Sequence, residues 1–321
     1  MKNEIIEIAV CLDKGFIIPS SVMMNSVCAN NQDYGIVFHV ITDESVTEKE
    51  KKELRDNISE YQDKSIRFYS VSSLQTDSFP MQNENRLPLS TYYRLFLADI
   101  LDVSTKKILY LDGDCIVRHS LSQLWETDLT GYALAAVFDV SEGDIEFYNR
   151  LRYSPSKGYF NAGVMLINLD YWRQHSALTL FTDYLGGFSK RIKHCDQDVL
   201  NVVFQDEKIF LHAKYNLQTG FLRDTQSWDY WKHEEELMAA IKDPVIVHFT
   251  SWNKPWYSYT QYPHPYRSSF YKYQQMSKWK NYRIDKRTLK VKLKNFIGDS
   301  LRKLKLRNPV NTHFIKLSPI D

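Results

Sequence analysis

Two carboxylates one residue apart, Asp112 and Asp114, close the apolar run Lys107-Ile108-Leu109-Tyr110-Leu111, and Cys115-Ile116-Val117 resumes it. A short run of β-branched and aromatic residues reads as a buried strand, and open α/β sheets hold ligands just beyond the carboxyl ends of their strands. Gly113 lets the backbone come close to whatever the two acids hold. Carboxylates this near each other repel unless a cation or a proton lies between them, so the pair reads as a divalent-metal site. Its plainer alternative is a surface Asp-Gly-Asp turn. An EF-hand loop is excluded, because the third acidic position and the glycine after it are missing.

A sheet has to carry those acids, and the flanking chain supplies one. Glu7 to Leu12 reads as a strand delivering Asp13 to its carboxyl end, with Ile36 to Thr42 and Ile66 to Val71 as the next two. Between them, Ile17 to Asn30 carries apolar residues at helical spacing with Pro19 in its first turn. Thr47-Glu48-Lys49-Glu50 is a capping box that opens a charged helix to about Tyr61. This βαβαβ order begins a parallel sheet wound with helices. No G-x-G-x-x-G follows the first strand, which argues against a dinucleotide cofactor. Thr91 to Ile100 predicts a helix presenting Arg94, Leu121 to Trp125 a short helix, and Ala133 to Asp139 a strand. Tyr159 to Asn168 is strand-like but interrupted by Asn161-Ala162-Gly163, small and polar residues where something approaches the backbone. Asp170 is expected to cap the next helix, and Asp196-Gln197-Asp198 to open another over Val199 to Phe204, its positive end suiting anions. Lys208 to Asn216 and Val245 to Thr250 are expected as the last strands.

A chain of 321 residues with 43% hydrophobic content can bury one large α/β core or two modest ones. No apolar run approaches the roughly 18 residues of a membrane span, and Met1 to Ile8 lacks a signal-peptide core, so the chain is expected to stay in the cytosol. Cys11, Cys28, Cys115 and Cys195 show no zinc or redox spacing and are expected to be reduced and mostly buried. The net charge of +2 hides an asymmetry: between Lys278 and Arg307 twelve Lys or Arg face only Asp285 and Asp299, so a basic tail follows an acidic body. In that tail Leu289, Leu293, Phe296, Ile297, Leu301 and Leu304 share one helical face, which predicts an interfacial helix drawn to anionic lipid. The apolar stripe counts against a nucleic-acid partner. A body of residues 1–277 and a tail of residues 278–321 are the expected units.

Several separated stretches follow one family's order: Asp13, Thr91-Tyr92-Tyr93-Arg94, Tyr110-Leu111-Asp112-Gly113-Asp114, Tyr159-Phe160-Asn161-Ala162-Gly163, Asp196-Gln197-Asp198, and His248-Phe249-Thr250-Ser251-Trp252-Asn253-Lys254-Pro255-Trp256. Over roughly residues 5 to 280 the chain resembles family 8 glycosyltransferases, and among them the lipopolysaccharide α-glucosyltransferases and α-galactosyltransferases. The resemblance implies a GT-A fold with a Rossmann-like mixed sheet and a UDP-glucose or UDP-galactose donor. It also implies Mn2+ (or Mg2+) and transfer with retention to an oligosaccharide or lipid-linked saccharide. Asp112 and Asp114 are then oxygen ligands and His248 a nitrogen ligand, although His248 alone could be a packed core histidine. Lys254 would meet the phosphates, since the developing charge of a diphosphate leaving group has to be neutralised. Asp13 is carried over as a nucleotide contact, or else a helix cap, and Arg94 as a contact to phosphate or donor sugar. Asn161 and Asp196 would hydrogen-bond sugar hydroxyls, with Gln197 near the anomeric carbon. A glutamine amide is a poor nucleophile, which favours front-face attack over double displacement through Asp196.

Two departures stand out. The family's Asp-x-Asn-Tyr is here Asp13-Lys14-Gly15-Phe16, and the glycine after the metal histidine is Ser251. Clustered Trp228, Trp231, Trp252 and Trp256 suit stacking on sugar faces, or simple packing. The expected protein is a transferase peripheral to the cytoplasmic face of the inner membrane. The rival is a carbohydrate- or polyanion-binding protein that kept the fold without turnover.

Overall fold

The computed structural model describes residues 4–71, 89–223, 233–250, 254–257, 263–283, 288–306 and 314. The chain opens as expected with β1 (Ile5–Leu12), α1 (Ile17–Asn30), β2 (Gly35–Thr42), α2 (Glu48–Ile58) and β3 (Lys64–Ser70). The capping box forms: Thr47 accepts from the Glu50 amide, and the Glu50 carboxylate reaches back to the Thr47 amide at 2.8 Å. The stretch expected as one helix from Thr91 is instead a 3-10 helix, Leu89–Phe96, followed by α3 (Leu97–Ile100). Arg94 Nε donates to the Thr91 carbonyl at 3.1 Å, competing locally for an acceptor an α-helix would use.

The acidic run splits into β4 (Lys107–Leu111) and β5 (Cys115–Val117), and then come α4 (Ser122–Trp125), β6 (Leu134–Phe138), α5 (Ile145–Leu151) and β7 (Phe160–Asn168). Helices α6 (Leu169–Gln174), α7 (Ala177–Phe188) and α8 (Cys195–Val203) follow. Asn168, not Asp170, caps α6, accepting from the Tyr171 amide at 3.0 Å, while Asp170 pairs with Lys106 and Arg173. Lys208 to Asn216 is not one strand. It is β8 (Lys208–Phe210) and a 3-10 turn, Ala213–Tyr215, because His212 caps the turn and the Ala213 amide donates to Glu236. The remaining elements are β9 (Leu217–Gln218), α9 (Glu234–Lys242), β10 (Ile246–His248), α10 (Arg267–Gln275) and α11 (Leu289–Lys303). No helix among the described residues is long and apolar enough to cross a membrane.

Among the described residues, seven strands form a mixed sheet in the order β3-β2-β1-β4-β7-β6-β8. β1, β2, β3 and β4 run parallel, and β7 is antiparallel to both β4 and β6. Side chains alternate between two cores. Ile6, Ile8, Val10 and Leu12 enter the one that includes α1, whereas Ala9 enters the one that includes α6, α7 and α8. With both faces covered, β2 is buried at every position, as parallel strands between helical layers must be. The chain leaves β1 towards β2 on one side while β4 lies on its other side, and ligands of open α/β sheets sit at such a switch of strand order.

Two local features aim side chains at that point. Between β6 and β7 the register slips: Ala136 pairs with Met165 but Phe138 pairs with Phe160, so Asn161-Ala162-Gly163 bulges out of the ladder. A second sheet, β5-β10-β9, pairs His248 antiparallel with Cys115 and parallel with Gln218. That pairing draws His248 onto the acids of the first sheet.

Candidate active site

The turn after β4 is closed by the Cys115 amide donating to the Asp112 carbonyl at 3.1 Å, and the Asp112 amide donates to the Gly163 carbonyl at 2.8 Å. Asp112 Oδ2 and Asp114 Oδ1 then lie 3.5 and 3.3 Å from His248 Nε2. Donors around one small divalent ion are separated by roughly 3 Å when each bond is about 2.1 Å, so this spacing suits a metal. Cys115 lies in the same cluster with Asp114 and His248, all within 4.8 Å, but its thiol is a soft donor and burial pushes it up. The hard oxygen and imidazole donors therefore make the better set for Mn2+ or Mg2+. Gly163 is the floor: a Cβ there would sit 2.1 Å from His248 Cε1 and 2.7 Å from Asp112 Oδ2.

Electrostatics keep the two carboxylates charged. Burial works against ionisation at Asp114, but Lys254 and His248 outweigh it and hold the carboxyl below its usual range. Asp112 is lowered likewise, with Arg94 and His248 overcoming burial. Burial also disfavours a charged imidazole at His248, yet the two carboxylates raise it to about 9. Lys254 Nζ contacts Asp114 Oδ2 and donates to the Phe249 carbonyl at 2.5 Å. The expected cluster of Asp112, Asp114, His248 and Lys254 thus assembles from the ends of β4 and β10.

Arg94 is buried, not laid open to solvent. Its guanidinium lies 3.1 Å from Asp112 Oδ1, donates to the Ala162 carbonyl at 2.7 Å and stacks 4.3 Å over the Tyr110 ring. Its Nε is 3.0 Å from Asp196 Oδ2 but points its hydrogen at Thr91, so the contact is ionic and leaves that buried oxygen without a hydrogen bond among the described residues. Burial raises the Asp196 carboxyl to about 7, and Arg94 offsets this only in part. An orphaned acceptor at the mouth of α8 is a group waiting for a donor, as a sugar hydroxyl would be.

Gln197 accepts from the Ala162 amide at 3.0 Å and donates to Asp139 Oδ2 at 3.2 Å and to the Tyr159 hydroxyl at 3.3 Å. Asn161 Oδ1 accepts from the Gly163 amide at 3.0 Å and from Asn216 at 2.9 Å, while its Nδ2 donates to Asp139 Oδ2 at 2.9 Å. What remains of Asn161 for a sugar is one amide hydrogen. Asp139 joins both residues, and it was legible as a carboxylate closing an apolar strand, just as Asp112 does. Asn216 was hidden inside the strand expected over Lys208 to Asn216. Asp13 Oδ1 accepts from the Gly15 amide at 2.7 Å and its Oδ2 takes the Ser90 hydroxyl at 3.3 Å, so it caps the turn after β1. Trp256 is buried against Phe270 and belongs to packing; Ser251, Trp228, Trp231 and Trp252 lie outside the described residues.

Comparison with known proteins fits this geometry. The profile of glycosyl transferase family 8 matches residues 7–260. General stress protein A of Bacillus subtilis is 28% identical over 286 residues, 87% of this chain and 96% of that protein. A lipopolysaccharide 1,2-glucosyltransferase of Escherichia coli is 30% identical over 255 residues, 78% of this chain and 73% of that protein. Among solved structures, the galactosyltransferase LgtC in complex with donor and acceptor sugar analogs superposes with a TM-score of 0.75 at 25% identity, covering 85% of this chain and 96% of that one.

Proposed function

The chain belongs to glycosyltransferase family 8, and from that premise we propose that it moves glucose or galactose from a UDP-sugar to lipopolysaccharide core or another lipid-linked saccharide, with retention. The observation that carries the reading is the convergence of Asp112, Asp114, His248 and Lys254 in one cluster at the sheet's switch point. Asp112, Asp114 and His248 would hold a divalent cation, which would supply Lewis-acid stabilisation of a diphosphate leaving group. Lys254, once Asp114 is engaged elsewhere, turns its charge to the same phosphates. Arg94 holds Asp112 and Asp196 in place, and Asp13 faces the nucleoside.

On the sugar side, Asp196 offers to a hydroxyl the Oδ2 that accepts no hydrogen bond among the described residues, and Gln197, held by Ala162, Asp139 and Tyr159, is assigned to the anomeric side. Because an amide is a weak nucleophile, front-face attack is the preferred course. The Asp196 oxygen that accepts no hydrogen bond among the described residues is the one observation favouring double displacement. Treating the protein with a 2-fluoro UDP-sugar separates them: a hexosyl adduct on Asp196 supports displacement, and none supports front-face attack.

Helix α11 presents Leu289, Leu293, Phe296, Ile297 and Leu301 to solvent, between 37 and 78% exposed, beside a run of lysines. An apolar stripe left exposed among the described residues, with a basic surround, suits an anionic headgroup layer on the cytoplasmic face of the inner membrane. The decisive experiment is hydrolysis of a panel of UDP-sugars with and without Mn2+. Metal-dependent hydrolysis of UDP-glucose or UDP-galactose is expected, followed by an α-linked product with a saccharide acceptor. No turnover of any donor would leave the binding-protein reading in its place, and a β-linked product would refute retention.

A further inference from the structure

Asn216 is fully buried between the Ala213–Tyr215 turn and β9, and it stands between the bulge of β7 and the imidazole at the end of β10. The identity of every atom along that path follows from one backbone group. The Gly163 amide can only donate, so the atom of Asn161 that it meets at 3.0 Å is Oδ1. The same Oδ1 lies 2.9 Å from Asn216, which must therefore present its amide nitrogen there, because two oxygens at that distance would repel. Asn161 Nδ2 facing the Asp139 carboxylate at 2.9 Å fixes the same orientation from the other end. Asn216 Oδ1 is left facing His248 Nδ1 at 3.0 Å, and an amide oxygen there requires a hydrogen on Nδ1.

We propose that Asn216 is a positioning residue for the reaction, a relay from the Gly163 amide through Asn161 that holds the His248 hydrogen on Nδ1 and so turns the Nε2 lone pair towards Asp112 and Asp114. A neutral imidazole has one donor and one acceptor nitrogen, and the partner of the first decides which nitrogen can ligate. With Nδ1–H bound to Asn216, an imidazole that gives up its Nε2 hydrogen can only present its lone pair between the two carboxylates. The same contact fixes the ring plane, so that little rotamer freedom is lost on ligation. The inference rests on the metal site proposed above.

Two measurements on the full-length protein test it. With histidine nitrogens labelled and the protein saturated with Mg2+ and UDP, NMR should show His248, identified as the resonance lost in His248→Ala, with its hydrogen on Nδ1. A hydrogen on Nε2 overturns the proposal without any variant at 216. Mn2+ affinity in the presence of UDP, read from the EPR signal of free ion, should fall about 10- to 100-fold in Asn216→Ala. It should be largely kept in Asn216→Asp, whose carboxylate still accepts from Nδ1, even though that variant loses its bond to Asn161 and melts lower. Equal losses in both variants would show that Asn216 only packs. If His248→Ala weakens Mn2+ binding and Asn216→Ala does not, the relay is wrong and the metal reading stands. If neither weakens it, the metal reading fails and the relay fails with it.

Discussion

Asp114 gathers partners from a distant part of the chain, with His248 Nε2 at 3.3 Å from one oxygen and Lys254 on the other. Asp114→Asn keeps the side chain's shape and removes its charge, so it should abolish Mn2+-dependent UDP binding and lower transfer by at least about a hundredfold, or ~2.7 kcal/mol of transition-state stabilisation. Far-UV circular dichroism should be unchanged; near-normal turnover in Mn2+ would exclude Asp114 as a ligand. Asp196 makes the opposite kind of prediction. Its carboxyl is raised from 3.8 to about 7 by burial, so between those values the folded protein binds a proton that the unfolded chain has released. Stability contributed by this group is thus lost as pH rises from about 4 to about 7. Asp196→Asn should cost activity yet raise the melting temperature at pH 8 relative to wild type, with the gain vanishing near pH 4. A variant equally destabilised at both pH values would show that Asp196 is a structural anchor.

At the scale of elements, the bulge in β7 and the short sheet β5-β10-β9 do what no single strand could: they cross two sheets at one point. The closeness of that crossing is set by Gly163, whose missing side chain leaves room for the His248 ring. Gly163→Ala would have to push backbone or imidazole aside by more than an ångström, since a Cβ would lie 2.1 Å from His248 Cε1. The expected result is a loss of Mn2+ affinity of about tenfold or more with the sheet intact. Unchanged metal binding in a folded variant, read by the EPR titration, would mean that His248 does not sit where the metal does. α8 is anchored independently of this crossing by Asp198, which takes Arg150 at 2.7 and 3.1 Å, the Tyr159 hydroxyl at 2.7 Å and the amides of Lys193 and His194. Asp196 and Gln197, the two residues before it in α8, inherit that rigidity.

For the whole molecule, the catalytic body and the basic helix α11 are proposed to act on different phases. Lys278 and Trp279 are tied to the body, Lys278 Nζ to Asp56 at 2.7 Å and Trp279 to the core, and Phe314 returns to it through a bridge to Arg223. Replacing Leu293, Phe296 and Ile297 with serine alters only exposed positions, 50 to 60% accessible, and should leave UDP-sugar hydrolysis intact. Binding to anionic vesicles should fall even at low salt, while raising salt should release the unaltered protein, since each Lys or Arg near such a surface adds about 1 kcal/mol that screening removes. A triple variant that binds vesicles as well as wild type would refute the docking role of α11.

The sequence by itself determined the alternation of strands and helices in the first seventy residues, the Asp112-Gly113-Asp114 turn at a strand end, the capping box at Thr47 and the exposed stripe of the tail. All of these are local: periodicity, turn chemistry and capping act between residues a few positions apart. It also held the family in the order of its motifs, because each motif marks a strand end or helix start that the sheet must bring to the same edge. Which groups meet depends on long-range packing. Asp114 and Lys254 are 140 positions apart, and Asn161 and Asn216 are 55 apart. Asn216 fell inside an expected strand because Leu211, Ala213 and Tyr215 alternate like one. The structure turns there because His212 and Glu236 take up the amides a strand would have paired. Arg94, expected to face a ligand, is buried between Asp112 and Asp196, a position no spacing in the sequence encodes because it depends on how two sheets and a helix end are packed around it.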